Sequence, residues 1–197
     1  AKWINILSAQ TGELLDYVKG EKKVENKGKP LVAIPTTAGS GSEATHFAVV
    51  YADGKKYSLA NYNILPEYAI LDPQLTAKLP PEITASAGMD ALGQAMESYW
   101  SVNSTGESKR YSMEAVKLIY SSLELAVKEP TEKSRWDMMK ASNLAGKAIN
   151  IAKTTAPHAM SYAFTSYFGI PHGHAVALTL GEILAYNSLV NEEDVVD

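Results

Sequence analysis

Leu71-Asp72-Pro73-Gln74-Leu75-Thr76-Ala77-Lys78-Leu79-Pro80-Pro81 is where the character of this chain changes. Upstream of it, the apolar runs are short and bounded by turn formers. Leu31-Val32-Ala33-Ile34, between Pro30 and Pro35, reads as a strand of the buried type. Tyr68-Ala69-Ile70-Leu71 reads as a further short strand, with no burial implied, stopped by Asp72-Pro73. Residues 46–60 read as a hairpin with its turn at Asp53-Gly54. Residues 20–30 form a charged loop, and residues 1–7 read as a helix with no cap in front of it, as in a chain cut from something longer. Downstream of residue 74 helical spacing takes over. A helix beginning at Thr84 or Ser86 runs to about Trp100, and further helical runs cover 107–127, 132–151, 156–167 and 173–189. Pro157 suits a first helical turn, where its missing N–H is of little consequence. The expected organisation is an α/β part over residues 1–78 followed by an all-α part over residues 79–197.

Composition narrows the function classes. A hydrophobic share of 46% is ordinary for a globular chain with a core, and a formal charge of −4 lacks the basic footprint of a nucleic-acid or anionic-membrane partner. No run approaches a membrane span and the N-terminus lacks a signal-peptide layout, so the expected setting is cytoplasmic. With no Cys, thiolate metal sites and cysteine nucleophiles are excluded.

The chemistry-bearing residues are few. Only four His occur, and His158 and His172 flank one aromatic segment, in Thr154-Thr155-Ala156-Pro157-His158 and Gly169-Ile170-Pro171-His172-Gly173-His174. Asp90 lies upstream in Gly88-Met89-Asp90-Ala91-Leu92. Carboxylate and neutral imidazole suit a divalent first-row metal, and three ligands leave positions open for substrate. Asp90 and Gln94 share a helix face by their four-residue spacing, and Glu97 follows at the next turn. His158 and Tyr162 repeat that spacing, while His172 sits at a helix N-terminus, which disfavours imidazolium. The same pattern also reads as a solvated Asp and hydrogen-bonded core histidines. Thr36-Thr37-Ala38-Gly39-Ser40-Gly41-Ser42-Glu43 after a strand offers backbone N–H groups and hydroxyls to a phosphate, or is simply a loop; it is neither a P-loop nor a G-x-G-x-x-G turn.

Taken together, Ile34 to Glu43, Leu71-Asp72-Pro73 with Thr76 and Leu79-Pro80-Pro81, Gly88 to Leu92, and His158 with Pro171-His172-Gly173 resemble the iron-containing (group III) alcohol dehydrogenase family. The resemblance implies a dehydroquinate synthase-like architecture: a dinucleotide-binding α/β domain, here incomplete, and a helical metal-binding domain, with catalysis between them. It implies NAD(P)-linked interconversion of an alcohol and an aldehyde. Asp90, His158 and His172 fall on metal-ligand positions of the family, and Gln94 falls where a further His is usual. An amide oxygen is the weaker ligand, which makes Zn(II) an alternative to Fe(II). Tyr162 replaces another frequent His at a proton-relay position, and His174 is the second catalytic candidate. Thr36, Thr37, Gly39, Ser40, Ser42 and Lys56 are the implied NAD(P)H contacts.

Within the family, Ala44-Thr45-His46-Phe47, the segment from Glu97 to Ser104, and Lys153-Thr154-Thr155 are most similar to the branch that reduces phosphonoacetaldehyde or sulfoacetaldehyde. His46, Asn103 and Lys153 are then candidates for holding an anionic tail, although Lys153 also suits a helix C-terminus as a charge on the dipole. The resemblance further implies a small-molecule substrate and a homo-oligomer. Family chains extend beyond both ends, and the upstream Gly-Gly-Gly-Ser pyrophosphate loop is absent, so the chain reads as a central fragment. A zinc glycerol-dehydrogenase-like enzyme, a dehydroquinate-synthase-like lyase and a non-catalytic metal-binding helical module are the rival readings.

Overall fold

The structure, a computed structural model, describes residues 1–52 and 55–189; the side chains of residues 51, 52, 55 and 56 lie outside the description. Two short helices come first, α1 (Lys2–Leu7) and α2 (Leu14–Val18). Strand β1 (Val32–Ala33) pairs in parallel with β4 (Tyr68–Ala69), in the register Val32 to Tyr68 and Ala33 to Ala69. Between them β2 (Phe47–Ala52) and β3 (Lys55–Ala60) form the expected antiparallel hairpin, with Phe47 opposite Ala60. The Asp53-Gly54 turn lies outside the described residues, as does the Lys56 side chain. Single turns of 3-10 helix cover Ser42–Ala44, Tyr62–Ile64 and Pro73–Thr76.

Five long helices follow: α3 (Pro81–Trp100), α4 (Gly106–Lys128), α5 (Glu132–Ala152), α6 (Ala156–Phe168) and α7 (His172–Ser188). Four begin and end within a residue or so of the sequence expectation. Helix α3 instead starts at Pro81, ahead of Thr84 and Ser86, because a proline there fixes a helical φ and gives up only an N–H that has no partner in the first turn. Thr105 and Thr131 open α4 and α5 with reciprocal capping boxes to Ser108 and Ser134.

The core lies between α3, α4 and α5. Ala91, Ala95, Ala115, Ala141 and Ala145 are fully buried there around Ile119 and Met138. Such small side chains let the helix backbones approach closely. Helices α6 and α7 form a hairpin across Gly169, whose φ of 67° suits a left-handed C-cap, and α7 packs back on α3. Buried Arg135 of α5 pins the strand-to-helix junction, donating from Nη1 to Thr84 Oγ1 at 2.7 Å and from Nη2 to the Leu79 carbonyl at 3.3 Å.

The parallel pair departs from expectation in its burial. Val32 and Ile34 are about half exposed, so β1 is not the buried strand expected of residues 31–34, and its partner Tyr68 is 66% exposed. Parallel strands are normally covered on both faces. Among the described residues this pair has no third strand beside it. No described helix is long and apolar enough to cross a membrane.

Two contacts seat the residue 36–43 loop on the helices. Gly39 lies against Ala87 of α3, where a Cβ would come within 2.9 Å of its backbone. Gly41 takes a left-handed φ of 54° and meets Gly146 of α5, where a Cβ on either glycine would come within 2.5 Å of the other's backbone. On the far side, buried Lys2 of α1 donates to the Thr45 carbonyl, Thr45 Oγ1 and the Phe47 carbonyl. Gly146→Ala is therefore expected to destabilise the chain by about 1–3 kcal/mol through overpacking. Gly106→Ala, where a Cβ meets nothing within 4 Å, should be neutral or slightly stabilising. Urea unfolding followed by circular dichroism checks both; equal midpoints would refute the seating role of Gly146.

Candidate metal centre

Three helices deliver the site. Asp90 and Gln94 sit one turn apart on α3, His158 in the first turn of α6, and His172 at the first position of α7. One ligand atom each from Asp90, His158 and His172 lies within 4.8 Å of the others. Both imidazoles turn Nε2 to the same oxygen: Asp90 Oδ1 is 3.1 Å from His158 Nε2 and 3.7 Å from His172 Nε2. Asp90 and His158 are buried, whereas His172 is partly open. The helices come this close because glycine occupies the crossing points. A Cβ on Gly173 would run into the Ser86 carbonyl, and one on Gly93 would reach 2.5 Å from Val176.

The remote ring nitrogens are also held. His158 Nδ1 meets Glu97 Oε1. Ser161 Oγ donates to the His158 carbonyl at 2.7 Å, so its lone pairs face His172 Nδ1 at 3.3 Å. Burial alone would lower the pKa of His158, but its hydrogen bonds to Asp90 and Glu97 and their charges outweigh burial and raise it to about 9. Without a metal, the cluster thus favours a bound cation in the form of a proton.

Gln94 supplies an independent test of fit. Its Oε1 is buried and has no hydrogen-bond partner. An unsatisfied buried acceptor costs about 1–3 kcal/mol, and a metal ion would satisfy it. Two imidazoles, a carboxylate and an amide oxygen form an all-N/O donor set suited to Fe(II) or Zn(II). The residues present fit a metal.

The other sequence candidates fall around this cluster unequally. Thr37, Gly39 and Ser40 line an open cleft of about 340 Å³ together with Asp90 and His172. Thr36 and Ser42, again with Thr37 and Ser40, line an adjoining cleft of about 660 Å³. Tyr162 stacks parallel to His172, with ring centroids 6.1 Å apart. His174 is exposed and lies outside the cluster. His46 is held by Asn150 Oδ1, 2.6 Å from its Nδ1, and stacks on Tyr62. That places it one helical turn before Lys153, which is exposed and is the only described non-glycine residue with a positive φ, at 63°. Asn103 is exposed in the turn after α3. Glu97 and Ser161 are the residues that sequence reasoning left without a role; for Glu97, the helical spacing from Asp90 was the available signal.

The family description "Fe-containing alcohol dehydrogenase family, C-terminal" matches residues 84–197, and "Iron-containing alcohol dehydrogenase" matches residues 1–73. The chain belongs to the iron-containing alcohol dehydrogenase family. Among curated members, it is 38% identical over 189 residues to long-chain-alcohol dehydrogenase 1 of Geobacillus thermodenitrificans, covering 94% of this chain and 48% of that one. It is 39% identical over 170 residues to phosphonoacetaldehyde reductase of Streptomyces viridochromogenes, covering 85% and 43%. Of solved structures, sulfoacetaldehyde reductase from Bifidobacterium kashiwanohense in complex with NAD+ superimposes with a TM-score of 0.91 at 39% identity, covering 94% of this chain and 50% of that one. This chain therefore spans about half the length of the relatives it matches.

Two substitutions separate the contributions of the donor set. His158→Ala should abolish metal uptake measured by elemental analysis. Gln94→Met should act in opposite directions: the metal-free protein gains about 1 kcal/mol because an orphan acceptor is removed, while metal affinity falls. A metal-free Gln94→Met protein that melts below wild type would contradict this account of Oε1.

Proposed function

We propose that this chain carries the metal centre of an NAD(P)-linked alcohol dehydrogenase working as an aldehyde reductase, with Fe(II) as its metal and Zn(II) as the alternative. The observation that carries the reading is the convergence of Asp90, His158 and His172, with buried, unpartnered Gln94 Oε1 one helical turn from Asp90, and with Asp90 and His172 lining a cleft shared with Thr37, Gly39 and Ser40. When bound, the metal supplies a Lewis acid for the carbonyl oxygen and the nicotinamide supplies the hydride.

The remaining work falls to the chain. Asp90, Gln94, His158 and His172 would hold the metal. Thr36, Thr37, Ser40 and Ser42 offer hydroxyls and backbone N–H groups to the cofactor beside it, a role that Lys56 would share. Tyr162 stands over His172, where its phenol would hand a proton to the reduced oxygen. Residues 1–78 would then be part of a dinucleotide domain and residues 79–197 the helical metal domain, in a dehydroquinate synthase-like arrangement.

A small aldehyde with a phosphonate or sulfonate tail is the substrate we favour, with His46, Asn103 and Lys153 on the tail side. Two things support this. Two of the relatives are named for such aldehydes. In addition, Lys153 holds φ 63° and ψ 177°, a conformation normally left to glycine and of the kind retained at functional sites.

Elemental analysis of anaerobically purified protein is expected to find about one equivalent of iron or zinc. NADH oxidation with sulfoacetaldehyde should depend on that metal, and its absence in metal-loaded protein would reduce the reading to a binding module. Lys153→Ala should raise KM about tenfold for the anionic aldehyde, as expected for losing a charge-assisted hydrogen bond, and leave a neutral aldehyde of similar size unaffected. Equal effects on both would remove Lys153 from the tail site.

A further inference from the structure

We infer that Glu97 selects the metal-binding tautomer of His158, acting from α3 as a positioning residue on a ligand carried by α6. The inference rests on the metal centre proposed above and concerns a residue that never touches the metal.

Glu97 has no exposed surface. Its Oε2 accepts from Thr155 N–H at 2.5 Å, from Thr155 Oγ1 at 3.0 Å and from His158 N–H at 3.4 Å. The Thr155 hydroxyl is itself oriented. Trp100 Nε1–H donates to it at 2.9 Å, which turns its own proton toward Glu97. Three donors therefore occupy Oε2, and two are backbone groups that can only donate. Oε1 is left for His158 Nδ1. A carboxylate only accepts, so Nδ1 must carry a proton; in the metal-free cluster Nε2 shows a second proton to Asp90, and that is the one a metal would displace, leaving the Nε2 lone pair to the metal while Glu97 keeps the Nδ1 proton in place.

Glutamine at this position makes the argument testable, because it separates two roles. With its oxygen toward His158, its NH₂ would face two backbone N–H donors. With its oxygen toward those donors, the cap on α6 survives, and its NH₂ faces Nδ1. The second orientation satisfies every group except the metal site, because Nδ1 must now accept and the one remaining ring proton is fixed on Nε2, the atom a metal would need. A residue that served only as a helix cap would be replaced by Gln without consequence for His158.

The test uses ¹⁵N spectra of the His158 ring and competitive titration with Zn(II). Metal-free Glu97→Gln is expected to show an unprotonated Nδ1 and a protonated Nε2, with wild-type thermal stability roughly retained. Its Zn(II) affinity should fall toward the upper end of the about 10–100-fold range of such outer partners, and Glu97→Asp should restore part of it. Retention of the Nδ1 proton in Glu97→Gln, or Zn(II) affinity within about twofold of wild type, overturns the inference. Should Glu97→Gln not fold, wild-type protein loaded with Zn(II) decides alone: ligation through Nε2 with a protonated Nδ1 supports the inference, and ligation through Nδ1 overturns it. Wild-type protein that takes up no Zn(II) would instead sink the metal centre, while loss of the Nδ1 proton between metal-free wild type, protonated on both nitrogens, and Glu97→Gln still decides what Glu97 holds.

Discussion

The Glu97 carboxylate, buried between α3 and the start of α6, is the contact that ties α6 and its histidine to the helical core. Among the N–H groups at the start of α6 that no turn of its own can satisfy are those of Thr155 and His158, and Glu97 takes both. Burying a carboxylate carries a large desolvation penalty, offset here by these donors, the Thr155 hydroxyl, the His158 ring and the positive end of the helix dipole. Because α3 also carries Asp90, the same bond that caps α6 sets the distance between two of the metal-site residues. Helix α7 then closes the set only because Gly173 lets its first turn lie against the Ser86 carbonyl.

Glycine plays a related part on the other side of the cleft. The residue 36–43 loop reaches the metal cluster because Gly39 rests on Ala87, three residues before Asp90, and Gly41 rests on Gly146. A loop held at two backbone contacts brings its hydroxyls to the cluster without side chains of its own filling the gap. Thr37 and Ser40 consequently line both clefts, the one beside Asp90 and His172 and the adjoining one.

Around α4 and α5 the helical core follows ordinary rules, with alanines at crossings and Thr caps at both starts. Three departures bear on the proposed site: an orphan amide oxygen at Gln94, a histidine between two carboxylates, and a lysine at positive φ. Each would be selected against in a purely structural bundle. The histidine belongs to the donor cluster itself, and Gln94 lies one turn from Asp90 on α3.

Local chemistry was legible in the chain itself. The five long helices, the hairpin and the 79–81 junction follow from periodicity, caps and prolines, since these act within a few residues. The donor types at 90, 158 and 172 were legible too, and helical spacing placed Gln94 and Glu97 on the Asp90 face. Other features were decided by contacts between segments far apart in sequence. Strand burial at residues 31–34 depends on what covers the sheet, which a run of apolar letters cannot state. The exposure of His174 depends on how α7 is rotated on α3, and the union of the Thr37 loop with the metal cluster depends on glycines 105 positions apart, at 41 and 146. The role of Glu97 emerges only when α6 arrives 58 residues later with unsatisfied N–H groups and an imidazole. Sequence determines which groups can donate and accept; only the packing of α3, α6 and α7 decides which of them meet, because partners in a buried network are assigned by proximity in space.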